Sequence, residues 1–300
     1  MTPYALRLTV DYTFDRPLGA GRQLFRVLPA EVPGVQHVRR AAVTIRPAPA
    51  ERMDRADFFG TKVIELAVPP GLEMLTFDLA AEVDRSAPEL PLDMTPPVAA
   101  LAAELAALRT LGPASPHHFL PPSPRIGALP EVAGFARDAG AGARTALETV
   151  MQIGRAIHRH MAFDAEAPAV DTPPAAAFAQ GRGVCQDFAQ IMVGALRGLG
   201  IPAAYVAGYL RTDPPPGRPR LEGADAMHAW VRAWTGTEGG WIDHDPTNDC
   251  LVREDHIEVG FGRDYGDVAP VTGFLRLDGS HSGSHRVDIR PLSGQRSARR

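Results

Sequence analysis

The chain has 300 residues, 45% of them apolar and 22% charged, with a net charge of −4. That balance fits an ordinary globular protein, one that buries a core without a metal or disulfide staple. No basic stripe runs through it, so nucleic acid is not an expected partner, and two cysteines, Cys185 and Cys250, are too few for a secreted disulfide scaffold.

Residues 4 to 85 read as β. Leu6, Leu8, Val10 and Tyr12 alternate with polar neighbours, the two-residue period of a half-buried strand. Further strands are expected over 23–28, 38–45, 62–68 and 75–83, punctuated by Pro and Gly. Together they predict a small antiparallel sandwich or barrel as an N-terminal domain, 1–85. A Pro-rich and helical connector follows over 86–143, with a short helix over 98–108. From 144 to 290 the pattern mixes α and β. Leu147, Val150, Met151, Ile153 and Ile157 form a helical stripe. Thr172 is the expected cap of a short helix over 175–179. Gly181 and Gly183 break that helix, and a new one runs from Cys185 to Leu199. Strands are expected over 203–210, 227–234 and 241–245, with a Pro-rich flap over 213–223 and a disordered tail over 291–300.

The N-terminus, Met1-Thr2-Pro3-Tyr4-Ala5-Leu6-Arg7, lacks a basic segment followed by an apolar run of about 7–15 residues. No stretch approaches about 18 apolar residues. The expectation is a soluble, cytoplasmic protein with no membrane partner.

Cys185 opens a helix. A helix N-terminus offers unpaired N–H groups and a partial positive charge, which favour the thiolate, the reactive form of cysteine. The Cys185 N–H would face the oxyanion of a tetrahedral intermediate. A leaving amine must be protonated, and His228, at the start of a strand, is the natural proton carrier. A carboxylate on the next strand would orient the imidazole. Asp243 and Asp245 both lie there.

The segments Gly183-Val184-Cys185-Gln186-Asp187-Phe188-Ala189, His228-Ala229-Trp230-Val231 and Trp241-Ile242-Asp243-His244-Asp245-Pro246-Thr247-Asn248 resemble the nucleophile, histidine and aspartate segments of bacterial transglutaminase-like proteins. These belong to the papain-like cysteine protease superfamily. Gly262-Arg263-Asp264-Tyr265-Gly266-Asp267-Val268 fits the same family, and the N-terminal β region, notably residues 24–29, resembles its N-terminal domain. The resemblance implies an α+β fold: an N-terminal antiparallel β domain, then a papain-like core whose nucleophile helix packs on an antiparallel sheet. It also implies attack on a peptide or carboxamide carbonyl, giving a thioester that water or an amine resolves. Within the family's Asp-x-x-Pro pattern Asp243 matches the catalytic position, so the expected triad is Cys185, His228 and Asp243. Animal transglutaminases use a tryptophan upstream of the cysteine at the oxyanion. Here Trp230, Trp234 and Trp241 all follow Cys185, which leaves Gln180 as a candidate donor. Gly183, Asp187 and Tyr265 are the other candidate cleft residues.

Each residue also has a plainer reading. Cys185 alone would be a small buried hydrophobe, Asp245 a turn cap, and Asp187 an electrostatic support for the helix start. Asp243, His244, Asp245 and Asp249 lack the spacing of a calcium loop. A zinc site from Cys185, His228 and Asp243 would lack a close-paired ligand motif. No cofactor or metal is therefore expected. The expected partner is a protein or peptide substrate. Three readings remain open: a cysteine peptidase or amidase, an amine transferase forming isopeptide bonds, and a non-catalytic binding module.

Overall fold

The computed structural model describes residues 1–87, 92–166, 172–213, 223 and 225–292. Six strands come first: β1 (Thr2–Phe14), β2 (Ala20–Phe25), β3 (Gln36–Arg46), β4 (Glu51–Ala56), β5 (Lys62–Val68) and β6 (Met74–Arg85). Helices α1 (Val98–Ala107), α2 (Pro130–Ala139) and α3 (Ala146–His160) follow. Then come β7 (Ala162–Phe163), α4 (Pro174–Gln180), β8 (Arg182–Gly183) and α5 (Cys185–Gly198). The chain ends in β9 (Ala203–Leu210), β10 (Ala226–Trp234), β11 (Trp241–Asp245), β12 (Cys250–Leu251), β13 (His256–Gly262), α6 (Tyr265–Val268), β14 (Val271–Arg276) and β15 (His281–Pro291).

The fold is α+β, as expected, but its division is not sequential. Two four-stranded antiparallel sheets, β15-β1-β6-β3 and β14-β2-β5-β4, build the N-terminal sandwich. Each takes one strand from the far end of the chain: Leu6 pairs with Ile289, and Phe25 with Val271. The expected catalytic domain of 144–290 therefore loses its last strands to the sandwich. At its other end the helical layer starts earlier than expected, because Val132 and Ala136 of α2 share a core with α5. Residues 214–222 of the expected flap and 293–300 of the expected tail lie outside the described residues.

A five-stranded sheet, β12-β11-β10-β9-β13, forms the second body. One of its faces carries Ala203, Tyr205, Ala207, Ala229, Val231 and Ala233 against Phe188, Ile191, Met192, Ala195 and Leu196 of α5. Small residues on the strands let the helix lie close. The close packing extends to α3, where a Cβ on Gly154 would come within 2.2 Å of the His244 ring on β11. The two bodies share a further core. Tyr209, Ile257 and Val259 pack with Leu6, Leu8, Phe25, Phe77, Val287 and Ile289, and the Tyr209 hydroxyl donates to the Val27 carbonyl at 2.6 Å. Each such side chain is worth roughly 1.5–3 kcal/mol when fully buried, so the sandwich is fastened to the sheet rather than loosely tethered.

Thr145 caps α3 by accepting from the Glu148 N–H at 3.1 Å. The expected cap at Thr172 is not used: α4 starts after Pro173 without a side-chain cap. Among the described residues no helix is long and apolar enough to cross a membrane.

Candidate active site

The start of α5 explains the glycines before it. Gly181 ends α4 at φ +63°, the left-handed region that glycine enters without strain. Val184 has no side-chain acceptor, so Asp187 reaches back and its Oδ2 accepts from the Val184 N–H at 2.9 Å. Asp187 is 1% exposed. Burial raises its pKa while the Val184 hydrogen bond opposes the rise. A Cβ on Gly183 would stand 2.5 Å from that carboxylate. Asp187 thus fastens the helix start, and the Cys185 N–H is left among the unpaired N–H groups of the first turn.

Cys185 is half-buried and lies beside the buried imidazole of His228 on β10, close enough for its sulfur to help raise that ring's pKa. The His228 Nε2 lies 2.7 Å from Oδ2 of Asp245, leaving Nδ1 as the nitrogen for sulfur. Burial works against a charged imidazole. The hydrogen bond and charge of Asp245, joined by the sulfur of Cys185, outweigh it and raise the His228 pKa to about 10. Burial likewise opposes the Asp245 charge, but His228, His256 and Asn248 hold its carboxyl far below the usual range.

The carboxylate at the imidazole is therefore Asp245, which corrects the expectation of Asp243. Strand register is the cause. Asp243 sits directly across from Arg232, and Val231 across from His244. Position 232 is four residues beyond His228, or about 13 Å along a strand. Continuing the register by one pair sets Asp245 beside Trp230, diagonal to His228. Asp243 is fully engaged where it is: Arg232 donates to both its oxygens, at 2.7 and 2.8 Å, and the Trp230 indole N–H donates at 3.1 Å. Arg232 also donates to both oxygens of Glu258, at 3.2 and 2.7 Å. The ring of Trp230 fills the space above Gly208, where a Cβ would meet it at 2.5 Å.

Asp245 also caps its turn, accepting from the N–H groups of Thr247 and Asn248 at 2.9 and 3.2 Å. Its Oδ2 takes two further donors, Asn248 Nδ2 at 2.7 Å and His256 Nε2 at 3.2 Å. The backbone N–H of Arg253 donates to Nδ1 of His256 at 3.4 Å, which leaves the ring proton on Nε2. Sequence reasoning missed both Asn248 and His256. The first carried a faint signal in the Asp-Pro-Thr-Asn turn, and the second none. The Nε2 atoms of the two histidines and an Asp245 oxygen lie within 4.8 Å of one another, a spacing that could also hold a metal. Here they are spent on hydrogen bonds among themselves.

A cavity of about 230 Å³ opens at the sulfur. Its floor is Tyr205, Ala207 and Tyr209 of β9, and its walls include Gln186, Met227, His228 and Tyr265. The sandwich contributes Arg26, Val27 and His285. Gly183 lies behind the nucleophile rather than in the cavity lining, and Gln180 is exposed at the end of α4 and does not line it. Tyr265 faces the cavity with Arg125 over its ring at 5.2 Å. Its neighbours serve the turn: Asp264 accepts from the N–H groups of Gly266 and Arg125, both at 2.8 Å, and Arg263 pairs with Asp267 at 2.9 Å. Cys250 is remote in character. Burial first, then Asp245 and Asp249, push its thiol up to about 11.

Comparison with known proteins shows the family and the fold. Residues 133–246 match the model of the transglutaminase-like superfamily, and residues 4–84 that of the bacterial transglutaminase-like N-terminal region. An uncharacterized protein of Mycobacterium tuberculosis is 34% identical over 271 residues, covering 84% of this chain and 81% of its own. A protein-glutamine gamma-glutamyltransferase of Pseudomonas aeruginosa is 40% identical over 79 residues, 26% of this chain and 11% of that protein. A solved structure from Cytophaga hutchinsonii, provisionally called a cysteine protease, superposes with a TM-score of 0.76 at 21% identity. It covers 98% of this chain and 92% of that one.

Proposed function

Because the chain belongs to the transglutaminase-like superfamily and carries its bacterial N-terminal region, we propose that it is a thiol-dependent acyl-transfer enzyme acting on peptide or carboxamide bonds. The observation that carries this reading is the half-buried Cys185 beside the buried His228, whose Nε2 meets the Asp245 carboxylate at 2.7 Å. Asp245 takes the place that sequence assigned to Asp243.

Each group has a task. The sulfur anion of Cys185 attacks the carbonyl carbon, and the carbonyl oxygen takes up the displaced electron pair. As the pair returns, the C–N bond breaks, and His228 gives its proton to the departing amine. A thioester remains on Cys185. His228, now neutral, takes a proton from water, and the hydroxide formed attacks the thioester to release the acid. Asp245 holds the imidazole by Nε2–H, fixing its tautomer and stabilising its charge.

We favour water as the acceptor, in keeping with the cysteine-protease description of the Cytophaga protein. Transfer to an amine is the second reading, supported by the similarity to the Pseudomonas glutamyltransferase. Incubation of a glutamine-containing peptide with and without a labelled primary amine tests the choice. Free acid and ammonia are expected in equal amounts. Amine incorporation outrunning acid release would reverse the preference, and the absence of any thioester at Cys185 would remove the enzyme altogether.

A further inference from the structure

Attack on the carbonyl leaves a negative charge on its oxygen, and sites of this kind meet that charge with more than one hydrogen-bond donor. The Cys185 N–H is one. The candidate from sequence, Gln180, stands outside the cavity. Tyr205 stands inside it. It rises from β9 on the face that packs against α5 and is 2% exposed. The ring of Tyr265 meets it edge-on at 6.1 Å.

Two observations set this tyrosine apart. Among the described residues its hydroxyl makes no hydrogen bond, and it is not one of the side-chain atoms sealed away from the cavity without a partner. Tyr209, four residues along the same strand and on the same face, shows the ordinary case through its bond to Val27. The second observation is the neighbour: Tyr205 and Cys185 line the same cavity. A hydroxyl left open in the cavity beside the nucleophile is a donor waiting for a ligand oxygen.

We propose that the Tyr205 hydroxyl is the second oxyanion donor, paired with the Cys185 N–H across the carbonyl oxygen of the bound acyl group. The inference rests on Cys185 being the nucleophile. As the C–S bond forms, the carbonyl π pair moves onto oxygen, which accepts from both donors. On collapse the pair returns, the C–N bond breaks, and the amine leaves with the proton of His228. Tyr205 keeps its own proton throughout. Burial, and then the nearby sulfur charge, raise its pKa well above the ordinary phenol value, so it stays a donor.

The test compares Tyr205→Phe, Gln180→Ala and wild type in three assays. They are turnover of a glutamine-containing peptide amide, inhibition by a peptide aldehyde whose thiohemiacetal carries the oxyanion, and alkylation by iodoacetamide, which forms none. Tyr205→Phe is expected to lower kcat on the order of 10²-fold with KM little changed, as loss of one oxyanion donor does elsewhere. Aldehyde inhibition should weaken in parallel, while alkylation of Cys185 keeps its wild-type rate. Turnover by Tyr205→Phe close to wild type overturns the proposal, as does alkylation slowing as much as turnover. A loss confined to Gln180→Ala does the same. Wild-type protein that alkylates but forms no thioester would instead sink the acyl-transfer reading itself.

Discussion

Asp245→Asn, set beside Asp243→Asn, separates the two carboxylates of β11. In the native site the His228 pKa rises from 6.5 to about 10. At about 1.4 kcal/mol per tenfold in proton affinity, that is roughly 5 kcal/mol in favour of the imidazolium, shared between Asp245 and the sulfur. Asparagine keeps the shape and an acceptor oxygen but removes the charge. The Asp245 variant should lose on the order of 10²–10⁴ in kcat, the range of triad enzymes stripped of their carboxylate. Its imidazole should titrate at lower pH. Asp243→Asn touches a different set of contacts. It leaves Arg232 with Glu258 as its remaining ion-pair partner, a stability loss of about 1–3 kcal/mol, and should leave kcat close to wild type. Steady-state kinetics on a peptide amide, paired with thermal melts, reads both effects. A crippled Asp243 variant beside an active Asp245 variant would refute the assignment, because the register that separates Asp243 from His228 would then be wrong.

Iodoacetamide near pH 7.5 should modify Cys185 quickly and Cys250 slowly, since the latter thiol is pushed up to about 11. Peptide mass mapping distinguishes the two, and equal slow labelling would favour a binding module. Gly183→Ala should cost about 1–3 kcal/mol in melts, because its Cβ would sit 2.5 Å from the Asp187 carboxylate, and should slow turnover by shifting the start of α5. Stability should also depend on pH through His228. Its folded pKa lies above its ordinary value of 6.5, so the contribution is complete below about 6.5 and is lost as pH rises through about 10. The Tm difference between wild type and Asp245→Asn should therefore narrow across that window, and a gap that widens would count against the ion pair.

Where one face of an element is buried, the sequence carried its outline. Lys62–Val68, Ala203–Leu210 and Trp241–Asp245 have the expected bounds. Strand β4, Glu-Arg-Met-Asp-Arg-Ala, is exposed at every position and has no apolar face to show. Helix α2 begins at Pro130 and carries an internal Gly134, and it lies in the connector, where a helix was expected only over 98–108. The nucleophile and its histidine were legible because Cys185 opens α5 and His228 lies near the start of β10, each with recognisable neighbours. The third residue was not. Asp243 and Asp245 point to the same face of one strand, and only pairing with β10 decides which meets His228 and which meets Arg232. Tyr205 was hidden for another reason: within Ala203–Leu210 it looks like one more core residue.

Since β14 and β15 complete the sandwich, the site's front wall is made from both ends of the chain. Arg26 and Val27 come from one end, Pro270 and His285 from the other. During synthesis Cys185 and His228 emerge well before the strands that close the sandwich around them. The thiol can meet its imidazole early, yet the cavity at the sulfur gains its full wall only when residues 271–291 pair with β1 and β2. The sulfur and its imidazole thus reach their places at a different moment from the wall in front of them.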